Sequence, residues 1–381
     1  MNIAIDIRCL MNPNYSGVAH YTYNLLNNIF RIDKTNHYKL FYNSNEDITH
    51  NLPKFEYPNV EFYGFKYPNK LLNSAFLFLN YPEIEQMIAG CDIFFIPNLN
   101  FCALESKTPK TLTIHDLSYE LYPQFFSCKQ RLWHKFIRPK TLAAKSNKVI
   151  ADSINTKNDL INLYKIDPLK IKVIYPGLDH QIFKKLSIEP TKLKELKAKY
   201  ALPDKFLLYL GTIEPRKNIE GIIEAFALLK NQHPELADLN LVIAGQKGWK
   251  YEQVFITAQN SAVNQQIYWL NYVEEKDKAY IYNLAEIFVF PSFYEGFGLP
   301  VLEAQACSVP VIASINSSFP EVLGDSALLV NPDNINEIAQ AIYQILSTAE
   351  LKENLIKKGE ENCQRFSWTN CAQETLNYLL S

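Results

Sequence analysis

Two glutamates eight positions apart, Glu295 and Glu303, lie in the run Phe290-Pro291-Ser292-Phe293-Tyr294-Glu295-Gly296-Phe297-Gly298-Leu299-Pro300-Val301-Leu302-Glu303-Ala304. Ionised carboxylates accept hydrogen bonds from neutral, hydroxyl-rich groups such as sugars. Upstream, an adjacent pair of cations stands in Gly211-Thr212-Ile213-Glu214-Pro215-Arg216-Lys217-Asn218. A guanidinium fork beside an ammonium point charge can clamp a diphosphate and neutralise its departure. Hydroxyl acceptors together with a diphosphate clamp describe the recognition of a sugar nucleotide.

These residues need elements to hold them. The apolar run Ile287 to Phe290 reads as a buried strand, and Pro300 suits the first turn of a helix. Glu295 then lies in a strand-to-helix loop and Glu303 in the first helical turn, flanking a helix N-terminus whose unpaired N–H groups favour anions and hydroxyls. Gly211 closes the apolar strand Phe206 to Leu210, and Asn218 reads as the N-cap of a helix carrying Ile219, Ile222, Ile223 and Phe226 on one face. His115-Asp116 follows the strand Thr111 to Ile114 at its carboxyl end, the edge where open α/β sheets bind ligands. Near the start, strand Ile3 to Asp6 leads through the loop Cys9 to Ser16 into Gly17, with Ser16 as N-cap and Val18, Tyr21, Leu25 and Ile29 on one face. Each feature alone has an ordinary structural reading; together they place polar groups at strand ends throughout the chain.

Further strands are expected at Tyr38 to Tyr42, Val60 to Phe65, Ile93 to Ile96, Val149 to Ala151, Ile171 to Ile174, Leu241 to Ala244, Ile267 to Trp269 and Val311 to Ala313. Alternation of such strands with helices means parallel sheets covered on both faces. A shift to the lysine-rich stretch Lys184 to Lys199 marks a domain boundary. The expectation is an N-terminal domain over 1–183, a second domain over 200–365, and a last helix, about 366–381, introduced by Phe366-Ser367-Trp368.

The 381 residues, 48% hydrophobic and 20% charged, suffice for two domain cores. A net charge of -2 gives no basic field for nucleic acid. Seven scattered cysteines with no Cys-x-x-Cys pair point to a reducing cytoplasm, and to neither zinc nor a disulfide framework. Met1 to Met11 is interrupted by Asp6 and Arg8 and reads as no signal peptide. Leu71 to Tyr81 is too short to span a bilayer. Cys128 to Lys140 carries Arg131, Lys135 and Arg138 at helical spacing beside Trp133, Phe136 and Ile137. It reads as a solvated basic helix, with peripheral contact to an anionic membrane as a second reading. No Gly-x-Gly-x-x-Gly follows a strand, against a dehydrogenase. No Asp-x-Asp pair is present, so no metal ion is expected on the diphosphate.

The run from Glu295 to Glu303 around Gly-Phe-Gly-Leu-Pro resembles the signature of the retaining glycosyltransferase family 4, and the likeness is strongest from Gly211 to Ala313. It implies an α/β GT-B fold, two doubly wound Rossmann-like domains facing across a cleft, with an acceptor-binding first domain, a nucleotide-sugar-binding second domain, and the last helix packing back onto the first. It also implies metal-independent transfer of a hexose from a nucleoside diphosphate sugar, the donor being a substrate and no cofactor being required. In the resembled family Glu295 would sit against the sugar, Glu303 at the ribose, Arg216 and Lys217 on the diphosphate, and His115 at the donor sugar. Asp152-Ser153 resembles a serine position before a helix, and Gly17 the glycine loop that faces the diphosphate or acceptor. Gly211, Gly245, Tyr272, Val273, Gly296, Phe297, Gly298 and Leu299 complete the expected donor contacts, with the loops Gly245 to Trp249 and Asn271 to Val273 passing the base. Motifs around Glu214-Pro215-Arg216-Lys217-Asn218 and Ala244 to Trp249 look most like bacterial mannosyltransferases of surface polysaccharide synthesis. The donor expected is GDP-mannose, and the acceptor a saccharide or lipid-linked saccharide. Alternatives are a UDP-sugar transferase of the same family, a sugar-nucleotide 2-epimerase of the same architecture, and a non-catalytic binding subunit.

Overall fold

A computed structural model describes residues 1–12, 15–105 and 107–381; Pro13 and Asn14, in the loop Cys9 to Ser16, lie outside the described residues. The chain forms two compact units.

The first unit comprises Met1–Leu117, Cys128–Gly177 and Ser367–Ser381. Its strands are β1 (Asn2–Asp6), β2 (His37–Asn43), β3 (Val60–Phe65), β4 (Ile93–Ile96), β5 (Lys110–Ile114), β6 (Lys148–Ala151) and β7 (Ile171–Val173). They pair in parallel in the order β3-β2-β1-β4-β5-β6-β7. The order reverses between β1 and β4, a topological switch point of the kind at which such sheets bind ligands. β4, Ile-Phe-Phe-Ile, is buried at every position because helices cover both faces. The final helix, Trp368–Leu380, is capped by Ser367 and buries Cys371, Ala372, Thr375, Leu376 and Leu379. It lies against the helix Gly17–Ile32 through Tyr21 and Trp368, ring centroids 5.9 Å apart. Lys148 donates to the Tyr378 carbonyl at 2.7 Å.

The second unit comprises Ser118–Ser127 and Leu178–Phe366. Its strands are β8 (Phe206–Leu210), β9 (Asn240–Ala244), β10 (Ile267–Leu270), β11 (Ile287–Phe290), β12 (Val311–Ser314) and β13 (Leu328–Val330). The order is β10-β9-β8-β11-β12-β13, again parallel, with its switch point between β8 and β11.

Two boundaries differ from the sequence expectation. The division falls at Gly177 rather than 183, because Phe183 packs edge-on to Tyr282, ring centroids 6.1 Å apart, and the Leu186 N–H donates to the Asn283 amide oxygen at 2.8 Å. Gly177 itself is where the returning chain crosses: a Cβ there would stand 2.1 Å from the Trp368 nitrogen. Ser118–Ser127, expected in the first domain, belongs to the second unit. Phe125 stacks on Phe293 at 5.2 Å, Phe126 on Trp249 at 5.7 Å, and the Trp249 indole donates to the Phe125 carbonyl at 2.7 Å.

Candidate functional site

The loops leaving β8 and β11 meet at the switch point of the second sheet, and the Phe293 N–H ties them by donating to the Arg216 carbonyl at 2.9 Å. The Lys217 ammonium donates to Glu295 Oε1 at 2.6 Å, and Arg216 Nη1 stands 3.1 Å from Glu295 Oε2. Arg216 Nη1 also donates to the Tyr294 carbonyl at 2.6 Å, while its Nη2 donates to Glu214 Oε1 at 2.6 Å. Lys217 rides over the Phe290 ring, 4.9 Å from its centroid. Two acids and two bases thus share one site, in which Glu214, Lys217 and Glu295 are buried and Arg216 is partly exposed. Burial pushes the Glu295 pKa up, but Arg216 and Lys217 outweigh it and hold the carboxyl down at about 2. Burial lowers the Lys217 pKa, and Arg216 lowers it further against the opposing pull of Glu295. Glu295 is also fixed through its backbone. Its N–H donates to Ser317 Oγ at 2.9 Å, and Ser318 Oγ donates to the Glu295 and Phe297 carbonyls at 3.1 and 3.0 Å.

Two local expectations need correction here. Asn218 is the N-cap of the helix Ile219–Gln232, as expected, but it is left-handed (φ 55°) and its side chain makes no cap hydrogen bond. Its amide instead donates to the Pro291 and Pro332 carbonyls at 3.2 and 2.7 Å, binding the β8 loop to its neighbours. The helix after β11 runs Leu299–Ala306 with Gly298 (φ 103°) as its cap, which puts Glu303 in the second turn rather than the first. Glu303 therefore owes its place to tertiary contact: the buried Tyr282 hydroxyl donates to its Oε2 at 2.9 Å. Burial works against the Lys278 charge, but Glu303 and Glu275 outweigh it and raise its pKa. Phe297 is a core residue, 5% exposed, packed edge-on to Phe366.

The glycines of these loops have packing reasons. A Cβ on Gly245 (φ 147°) would stand 1.9 Å from the Gly211 carbonyl oxygen, so the loops after β8 and β9 touch backbone to backbone. A Cβ on Gly298 would meet Phe319 at 2.5 Å. At Gly17, by contrast, a Cβ would meet nothing within 4 Å among the described residues. Ser16 caps that helix by accepting from the Ala19 N–H at 3.4 Å. Beyond β10, Tyr272 is 42% exposed while Val273 is buried and faces the core.

In the first unit, His115 follows β5 between the ends of β4 and β6. Its Nδ1 lies 2.6 Å from Asp152 Oδ2 and its Nε2 lies 3.0 Å from the Pro97 carbonyl, which can only accept. Burial works against a charge on the ring, but Asp152 outweighs it and raises the His115 pKa. Burial also raises that of Asp152, so both groups of the pair hold a proton more firmly than in water. Both ring nitrogens are thus engaged within the unit. Asp152 emerges as the histidine's partner, which its sequence resemblance did not suggest.

The basic helix runs Cys128–Ile137 and stops before Arg138, which is left-handed (φ 54°) ahead of Pro139. The expected stripe of Arg131, Lys135 and Arg138 is therefore broken, although all three are exposed, as are Leu132, Trp133 and Phe136. A second helix, Asn69–Phe78, exposes Leu71 at 66% and Phe78 at 72%, followed by Leu79 at 72% and Tyr81 at 61%. Among the described residues no helix is long and apolar enough to cross a membrane.

Comparison with known proteins bears on this arrangement. Residues 193–362 match the model of "Glycosyl transferases group 1" and residues 15–182 that of "Glycosyltransferase Family 4". The chain is 32% identical over 278 residues to O-antigen chain mannosyltransferase B of Escherichia coli, covering 70% of this chain and 68% of that one. The chain belongs to glycosyltransferase family 4. It is also 34% identical over 182 residues to the serotype-specific mannosyltransferase WbdA of Escherichia coli, a match covering 48% of this chain and 22% of WbdA. Sucrose-phosphate synthase from Thermosynechococcus elongatus superposes with a TM-score of 0.75 over 99% of this chain and 98% of its own, at 20% identity. That likeness shows the fold: two parallel-sheet Rossmann-like domains of the GT-B class.

Within this family-4 enzyme, the structure gathers Arg216, Lys217, Glu295 and Glu214 into one contact set in the second unit. Gly211, Gly245 and Gly298 shape its loops, Glu303 lies on the helix beyond, and His115 and Gly17 belong to the first unit. Glu214, Asp152 and Tyr282 were not read as site residues. Glu214 alone had a local signal, two positions before Arg216 in the motif.

Proposed function

We propose that this glycosyltransferase moves mannose from GDP-mannose onto a saccharide or lipid-linked saccharide in bacterial polysaccharide synthesis, with retention at the anomeric carbon and without a metal ion. The observation that carries the reading is the set Arg216, Lys217 and Glu295, the last two buried, at a sheet switch point. The choice of mannose is supported by the two mannosyltransferase relatives at 32 and 34% identity. The bond from the anomeric carbon to the diphosphate oxygen breaks as the bond to the acceptor oxygen forms on the same face, and the acceptor proton passes to the leaving phosphate. Arg216 and Lys217 meet the charge developing on that phosphate. A Glu295 carboxyl with a pKa of about 2 is a feeble base at neutral pH. Its role is to accept from sugar hydroxyls and to stabilise positive charge at the anomeric centre. Glu303 accepts from the ribose, and the Gly17 loop at a helix N-terminus faces the diphosphate or the acceptor.

The reading includes work at the cytoplasmic face of a membrane. The exposed apolar residues of Asn69–Phe78 and Cys128–Ile137, with the cations Lys70, Arg131 and Lys135, fit the interfacial zone of an anionic bilayer. Salt-sensitive co-sedimentation with anionic vesicles, lost on replacing Leu71, Phe78 and Trp133 by serine, is the expected result; unchanged sedimentation refutes this part.

The deciding experiment is calorimetric titration of GDP and UDP side by side, followed by transfer assays in excess EDTA. GDP should bind at least about tenfold tighter, some 1.4 kcal/mol, and transfer should persist with chelator. The reverse preference overturns mannose, and activity restored only by magnesium or manganese overturns the metal-free mechanism.

A further inference from the structure

Glu214 is 2% exposed, and its Oε1 accepts from Arg216 Nη2 at 2.6 Å. On the other side of the same guanidinium, Nη1 reaches the Tyr294 carbonyl at 2.6 Å and Glu295 Oε2 at 3.1 Å. A planar fork held at both edges has one orientation. The two acids that hold it are not equivalent. Glu295 follows the Phe-Tyr segment of the β11 loop and is shared between Lys217 and Arg216. Glu214 lies on the same loop as the arginine, two residues away, and that loop is pinned from behind. The Ile213 N–H donates to the Gln246 carbonyl at 2.9 Å, and the Gly248 N–H returns to the Ile213 carbonyl at 3.0 Å. Gly248 passes so close that a Cβ there would stand 2.9 Å from the Ile213 carbonyl oxygen and 3.5 Å from Glu214 Cβ. The β9 loop therefore fixes the Glu214 backbone, and Glu214 fixes the guanidinium.

From this geometry we infer that Glu214 is a positioning residue that keeps Arg216 aimed at the donor phosphates when Glu295 exchanges its cations for the sugar. The inference rests on the proposed role of Arg216 in meeting leaving-group charge. Glu214 touches neither donor nor acceptor and acts only through the arginine. Two consequences separate it from a merely structural acid. Removing Glu214 takes a negative charge from the phosphate site, so nucleoside diphosphate affinity does not fall while turnover does. Its effect also disappears when Arg216 is absent.

The test is a double-mutant cycle between Glu214→Ala and Arg216→Ala, with Glu214→Gln as the variant that keeps an acceptor oxygen at the same reach. Turnover is measured with whichever of GDP-mannose or a UDP-hexose the wild type uses, and GDP and UDP binding by calorimetry. Glu214→Ala should lower kcat about tenfold with the nucleoside diphosphate Kd unchanged or smaller, and Glu214→Gln should stay within about threefold of wild-type kcat. In the Arg216→Ala background, adding Glu214→Ala should change kcat by no more than about twofold. Equal tenfold losses in both backgrounds overturn the inference, as does a Kd that rises in step with the fall in kcat. Should Glu214→Ala fail to fold, Glu214→Leu, which fills the volume and accepts no hydrogen bond, takes its place in the cycle under the same criterion. If the wild type turns over no sugar nucleotide, the functional reading falls separately. Rotation of the Arg216 guanidinium, read from its Nη exchange in NMR, then decides: freer rotation in Glu214→Ala supports the inference, and unchanged rotation overturns it.

Discussion

Replacing Glu295 by glutamine removes one charge and little volume from a site where that charge is opposed by two cations at 2.6 and 3.1 Å. A folded-state pKa of about 2, against an ordinary value of 4.5, corresponds to about 3 kcal/mol of stabilisation by the ionised form at neutral pH. The sign follows from the depressed pKa: this stability is present above about pH 4.5 and is lost as pH falls through 2. Wild type should therefore be the more stable at pH 7, and the two proteins should converge near pH 2 to 3. Binding should move the other way. A carboxylate about 6 Å from a phosphate charge opposes it by about 2 to 3 kcal/mol at an effective dielectric near 20. Part of that is recovered in the wild type by rotation of Glu295, leaving an expected gain of about 1.4 kcal/mol, or tenfold tighter nucleoside diphosphate binding in Glu295→Gln. Turnover should fall sharply in the same variant, since sugar contacts and charge at the anomeric centre depend on the carboxylate. Calorimetry with GDP and UDP, denaturation from pH 7 to 2, and transfer assays measure the three effects. Tenfold weaker nucleoside diphosphate binding in Glu295→Gln would refute the charge argument, because it would mean that Glu295 helps to build the phosphate site rather than competing for it.

Other perturbations separate the remaining groups. Glu303→Ala should weaken nucleoside diphosphate binding about tenfold with a smaller effect on kcat, and Tyr282→Phe, which removes the hydroxyl that donates to Glu303, should give a fraction of that loss in the same calorimetric titration. Asp152→Asn should lower the His115 pKa, read from its ring NMR shifts. A raised histidine pKa contributes stability below the unfolded value that is lost as pH rises through the folded one, so the wild type's advantage over Asp152→Asn should shrink toward alkaline pH. Gly245→Ala should destabilise the second unit by several kcal/mol in denaturant titrations, since its Cβ would fall 1.9 Å from the Gly211 carbonyl oxygen at a φ of 147°.

How far the sequence reveals this architecture depends on how local each determinant is. The strands expected from the sequence match β1 to β12 to within a residue or so at each end; the central ones are continuous apolar runs because both their faces are buried, whereas β3 exposes Glu61 and Phe62. β13 escaped notice: Leu328–Val330 is three residues long, too short for a periodic signal. Cap and turn details failed where a neighbouring loop competed for the same polar group. The Asn218 amide is taken by two carbonyls from the β11 and β13 loops, and Gly298 sets the helix start where Pro300 alone suggested a different one. The domain edge failed for the same reason. Lysine content marks Lys184 to Lys199, whereas the division is decided by where Phe183 and the aromatic residues of Ser118–Ser127 find partners.

Motif spacing identified the charged residues but not their pairing, since Lys217 and Glu295 are 78 positions apart. Pairing adds a constraint on how the proposed donor must enter. Glu214 pairs with Arg216, and Glu295 with both Arg216 and Lys217. A diphosphate brings negative charge into that set, and one carboxylate must give up its cations. Glu214 bonds Arg216 from within the same loop, whereas Glu295 reaches across from the β11 loop to both cations that the proposed diphosphate would take, so Glu295 would be the one to yield. A buried carboxylate released from two cations requires new donors at once, because an unpaired buried charge costs several kcal/mol. Sugar hydroxyls supply them when the incoming ligand is a nucleoside diphosphate sugar; a bare nucleoside diphosphate does not. The same exchange that opens the phosphate site thus sets the carboxylate against the hexose, making the intact donor a better ligand for these charges than its own leaving group.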